Sequence, residues 1–135
     1  MGHRDRAARL LLAAAVLLSG CAKQNARESA ATGADGRQVV GIDAVNDAFR
    51  PWAVQARVGQ PLVVRLRNNG VTAHTFTIYD IDMDVVLQPG QRRAVTIQPP
   101  GGAVSWRFLC RFHDAGGMHG SITFGNPPPS PLGPP

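Results

Sequence analysis

Apolar residues recur at every second position in run after run of this chain, and each run is cut short by a turn signal. Trp52, Val54, Ala56 and Val58 alternate with polar or variable neighbours; Leu62, Val64 and Leu66 alternate with Val63, Arg65 and Arg67. Val95 and Ile97 continue the pattern, and Ile122 and Phe124 close it. A period of two belongs to a strand with one buried face. No helical stripe of useful length is present. Asn68-Asn69-Gly70, Gln88-Pro89-Gly90-Gln91 and Pro99-Pro100-Gly101-Gly102 supply the breaks. Short strands so spaced predict an all-β fold, an antiparallel sandwich of two sheets. Asp80 to Asp84, with acids at every second position, is the least regular stretch and reads as a loop.

The ends of the chain read differently. Arg4, Arg6 and Arg9 lead into an unbroken apolar run of nine, Leu10 to Leu18, followed by Ser19 and Gly20. That run is too short to span a bilayer, which takes about 20 residues, and has the form of an export signal covering residues 1–20. Leu18-Ser19-Gly20-Cys21 resembles the lipobox of bacterial lipoproteins, which implies that Cys21 is acylated and becomes the mature N-terminus. Residues 22–37 are small and polar without hydrophobic period, so residues 21–37 are expected to be a lipidated cysteine and a flexible tether. The domain then runs from 38 to 125. Residues 126–135 contain six prolines and are expected to form an extended, disordered tail.

Cysteine and charge limit the function classes. With Cys21 lipidated, Cys110 has no partner, and an unpaired thiol in an oxidising compartment is open to damage unless a metal occupies it. From Cys21 onward eleven basic residues stand against eight acidic ones. They are scattered, with no basic run and no interleaved aromatics, so nucleic-acid binding has no support.

The chemistry gathers in two segments. Val104, Trp106, Phe108 and Cys110 share one face, opposite Ser105, Arg107 and Leu109, which makes the cysteine the last inward residue of its strand. His74 shares a face with Phe76 and Ile78. His113 and Met118 lie in the glycine-bearing loop from Arg111 to His119, which can fold back over the strand ends. All three histidines after the signal, His74, His113 and His119, fall in these segments, as does Cys110. Cys110 offers a soft thiolate, His74 and His113 borderline nitrogens, and Met118 a soft neutral sulfur: the donors of one mononuclear copper centre that suits both oxidation states. Structural zinc sites use four Cys or His donors, and a binuclear copper centre needs a second thiolate. A thiol nucleophile reading fails for want of an orienting group and an oxyanion site, so no enzyme activity is expected. Met83, the other methionine of the mature chain, reads as packing or surface.

Phe108-Leu-Cys110-Arg-Phe-His113, continued by Gly117-Met118-x-Gly120-x-Ile122, resembles the ligand loop of the cupredoxins, nearest in spacing to the plastocyanin, pseudoazurin and amicyanin group. Ala73-His74-Thr75-Phe76-Thr77 is similar to the first-histidine strand of that family. The resemblance implies an eight-stranded Greek-key sandwich, a contact from Thr75 to the thiolate sulfur, and electron passage through the exposed edge of His113. Two positions depart from it: Phe112 stands where proline is common, and His119 follows Met118 directly.

The expectation is a type 1 copper protein, lipid-anchored on the outer, periplasmic or cell-surface face of a bacterial membrane. As a monomer it carries single electrons between extracytoplasmic redox proteins. Docking would use the rim of Phe112, Ala115, Gly116 and Gly117, bordered by Arg111 and Asp114. The alternative is a module that binds and delivers Cu(I), with Met118 and His119 as its entry point.

Overall fold

The computed structural model describes residues 27–126. The expected signal peptide, Cys21 and residues 127–135 of the expected tail lie outside the described residues.

Eleven strands follow one another: β1 Arg27–Ser29, β2 Ala31–Thr32, β3 Gln38–Val45, β4 Ala48–Arg50, β5 Ala53–Ala56, β6 Leu62–Asn68, β7 His74–Ile78, β8 Met83–Leu87, β9 Arg92–Ile97, β10 Val104–Leu109 and β11 His119–Phe124. They form a six-stranded sheet, β1-β5-β11-β10-β7-β8, and a second sheet, β2-β3-β6-β9, in which β4 also pairs with β3. Three of the strands, β1, β2 and β4, have only two or three residues. The other eight make the body of the sandwich, as the resemblance implies.

Alternation is clearest in β6, where Leu62, Val64 and Leu66 are buried and Arg65 and Arg67 exposed. Val64 and Leu66 align with Val40 and Ile42 of β3 in a parallel ladder. Burying each such side chain contributes about 1.5–3 kcal/mol, and this apolar face holds the second sheet on the first. Phe49, Phe76 and Phe108 meet in the core beneath the site, with ring centroids 5.0 to 6.0 Å apart. Because Phe76 and Phe108 stand two residues from His74 and Cys110, this knot fixes the strands that carry those two side chains.

Four expectations need correction. The sheets are mixed rather than purely antiparallel: β3 and β6, β5 and β11, and β1 and β5 run parallel. Between β3 and β6 the chain visits the other sheet and returns, which brings its neighbour back in the same direction. Residues 27–32, expected within the flexible tether, are paired, Arg27–Ser29 along β5 and Ala31–Thr32 along β3. Edge backbone groups recruit them without needing apolar side chains. The stretch Asp80 to Asp84 is a single 3-10 turn, Tyr79–Ile81, followed by the start of β8, and Met83 packs against the core. Leu109, expected to face outward, is buried, paired with Thr77 on one side and His119 on the other.

Candidate metal centre

Three donors reach one point from two strands and a loop. His74 opens β7, Cys110 directly follows β10, and His113 lies in the loop between β10 and β11. His74 Nδ1 is 3.8 Å and His113 Nδ1 3.4 Å from Cys110 Sγ, and the imidazole centroids are 5.0 Å apart. Their donor atoms all lie within 4.8 Å of one another.

The loop is closed by its own backbone. The Cys110 carbonyl accepts from the His113 N–H at 3.0 Å, which points the second imidazole back toward the sulfur. A single 3-10 turn, Asp114–Gly116, follows, and Gly117 ends it at φ 88°, where a side chain would be strained. Met118 then returns beside the cysteine, its carbonyl accepting from the Cys110 N–H at 3.0 Å. Its side chain is fully buried and belongs to the core around Cys110.

The sulfur is held from the neighbouring strand. The Thr75 N–H donates to Cys110 Sγ at 3.3 Å, the contact that the resemblance implies. The Thr75 hydroxyl accepts from the Arg111 N–H at 2.8 Å and lies 3.1 Å from the Thr77 hydroxyl. Thr77 in turn donates to Asp84 at 2.6 Å, and the Arg111 guanidinium grips both oxygens of that carboxylate at 2.9 and 2.7 Å. This network ties β7, β8 and the ligand loop together. It holds the Asp84 carboxyl below its ordinary range, the Arg111 bonds counting first and the Thr77 bond next.

Burial first, then the neighbouring His113, lower the pKa of His74, against a weaker opposite pull from Asp47. The ring is therefore neutral at neutral pH and keeps a lone pair for a metal. Its Nε2 is buried without a hydrogen-bond partner. The loop over it is folded by Asn68, whose amide donates to the carbonyls of Thr72 and Leu87 and accepts from the Gly70 N–H. His113 is the partly exposed member, with Asp47 at 3.8 Å from its Nε2.

The residues fit a copper ion. Bonds of about 2.0 Å to nitrogen and about 2.3 Å to sulfur in a trigonal plane set those donors about 3.7 Å apart, between the two separations observed here. Of the three histidines after the expected signal, His119 is the one set apart. Its Nδ1 lies 3.0 Å from Arg107 and 3.7 Å from Asp114 in a surface cluster. Reading the sequence missed Asn68, Thr77 and Asp84 as supports. Asn68 was visible only as part of a turn, and Asp84 only as one of three alternating acids.

The model of the cupredoxin-like domain matches residues 9–124. The chain belongs to that family, and its donor set makes the centre a site for one mononuclear copper. Solved structures of similar fold include dithionite-reduced auracyanin from the photosynthetic bacterium Roseiflexus castenholzii, with TM-score 0.59 and 21% identity over 72% of this chain and 99% of that one. The metal-binding domain of the Cu(I)-exporting P-type ATPase CopA of Streptococcus pneumoniae, solved with Cu(I), gives 0.61 and 15% over 74% and 96%. Auracyanin A, a blue copper protein from Chloroflexus aurantiacus, gives 0.53 and 14% over 64% and 98%. At these identities the likeness is one of fold. Among curated proteins no sequence matches this chain.

Proposed function

We propose that the protein is a lipid-anchored, extracytoplasmic carrier of single electrons, its copper held by His74, Cys110, His113 and Met118. The observation that carries this reading is the contrast in burial within one donor set. His74, Cys110 and Met118 are completely buried, while the His113 side chain is 28% exposed. Copper held there would supply the Cu(II)/Cu(I) couple that stores one electron. The chain's part is to keep the donors in place: the phenylalanine knot, the Asn68 loop and the Asp84 network oppose rearrangement when the charge changes, and an electron leaves through the His113 edge.

Redox partners would dock on the rim around that edge. Phe112 is half exposed there, against the Arg111 guanidinium at 5.4 Å and edge-on to His113. Both border charges named from the sequence are already paired, Arg111 with Asp84 and Asp114 with Arg107. The patch is thus locally neutral and suits brief, weakly polar encounters.

The rival, delivery of Cu(I), requires an accessible ion, and three buried donors argue for retention. Mixing the reduced and oxidised proteins separates the two. The carrier exchanges electrons rapidly while keeping its copper against a Cu(I) chelator; a protein that yields copper to the chelator faster than it exchanges electrons is a delivery module.

A further inference from the structure

Four arginines scattered in the sequence meet on the second sheet. Arg65 and Arg67 of β6 and Arg92 and Arg93 of β9 line one concavity of about 420 Å³, with Asp43, Leu66 and Ala94. Arg67 stands directly opposite Arg92 in the ladder, an arrangement in which like charges repel. Asp43, aligned with Arg67 on its other flank, is the single acid among the lining residues. Arg37, Arg107 and Arg111 are each bonded to an aspartate, but among the described residues none of these four has an ion pair. Arg93 pairs with the buried Leu66 and so starts from the inner side of β9, whereas Arg65, Arg67 and Arg92 share the outer face, where the three guanidinium groups less Asp43 leave two positive charges. A field so concentrated, on residues that repel one another, is shaped for an anionic surface. No aromatic ring lines the concavity, so nothing there could stack on a nucleic-acid base.

The start of the domain indicates which surface. Because β1 begins at Arg27, the expected anchor at Cys21 is six residues from the first paired strand. Six residues reach at most about 20 Å, against about 10 Å between packed sheets. So short a leash keeps the domain against the bilayer. It joins the domain at β1, an edge strand of the six-stranded sheet, and β2, which follows after one residue, edges the sheet whose outer surface carries the arginines.

We propose that the arginine face of β6 and β9 docks on anionic phospholipid headgroups. The proposal rests on the anchored-carrier reading above. In this pose the sheet lies along the membrane, and the copper end, at the strand tips, points parallel to it, toward partners held on the same surface.

The test uses the full chain carrying Cys21→Ser, which cannot be acylated, with vesicles of phosphatidylglycerol and phosphatidylcholine or of phosphatidylcholine alone. Binding to the anionic vesicles only is expected. It should fall about a hundredfold in the triple variant Arg65→Gln, Arg67→Gln, Arg92→Gln, from the attraction each arginine feels near an anionic surface. The triple variant Arg27→Gln, Arg37→Gln, Arg57→Gln, with the same change in charge, should keep most of its binding. Near-ultraviolet circular dichroism checks that both fold. Equal losses in the two triples would overturn the proposal in favour of net charge alone. Absent vesicle binding, joined to slower oxidation by hexacyanoferrate(III) in the first triple only, would overturn it in favour of an acidic protein partner. Mass spectrometry of Cys21 in the wild-type membrane fraction reports on the anchor separately, so that loss of either claim is recognised without the other.

Discussion

A Cβ added at Gly70 would stand 3.1 Å from His74 Nε2, 3.2 Å from the Asn46 backbone nitrogen and 3.3 Å from Asn68 Oδ1. Two of these neighbours are fixed, one by the backbone and one by the three hydrogen bonds of Asn68, so the imidazole has to give way. Gly70→Ala should cost about 1–3 kcal/mol, as crowding of packed interiors does, and should weaken copper binding as well. Thermal melting with copper titration checks both; unchanged affinity would show that the loop does not hold His74. The donors themselves were legible because this chain is poor in them: three histidines after the signal and one cysteine besides the expected anchor leave few combinations. Their supports were not legible, since Asn68 acts through the carbonyls of Thr72 and Leu87, and nothing in a turn signal announces such partners.

Among the elements, β7 shows what periodicity conveys and what it hides. Its inward residues His74, Phe76 and Ile78 follow from alternation, yet Thr75 and Thr77 on the other side are buried too. They are tied into the network that ends in Asp84 on β8, an element that polar alternation made look like a loop. That network has a measurable signature. The Asp84 pKa is lowered in the folded protein by Arg111 and Thr77, so its contribution is present above the ordinary carboxylate pKa and is lost as pH falls through the lower folded value. Asp84→Asn should therefore destabilise the protein by about 1 kcal/mol at neutral pH, the carboxylate being partly exposed. It should also flatten the loss of stability on acidification below about pH 4. Denaturant titrations across pH test this; a variant with the wild-type acid slope would exclude Asp84 as the group responsible.

For the whole molecule, the sandwich was legible because its interior is built from alternating strands, whereas its margins were not. Residues 27–32 have no apolar pattern, and they join the sheets chiefly by backbone pairing, with Ala30 against the core and the Thr32 hydroxyl bonded by Arg57. Removing residues 1–32 should leave the edges of β5 and β3 unpaired and cost about 1–3 kcal/mol, or about 5–15 °C in Tm for a domain of this size. An unchanged Tm would mean that these strands add nothing. The larger claim is that distant parts of the chain converge on one copper. The Cu(II) protein should show an intense thiolate charge-transfer band at about 600 nm and the narrow copper hyperfine splitting of a strongly covalent Cu–S bond, both lost in Cys110→Ser. One equivalent of Cu(II) bound with neither signature would contradict the account.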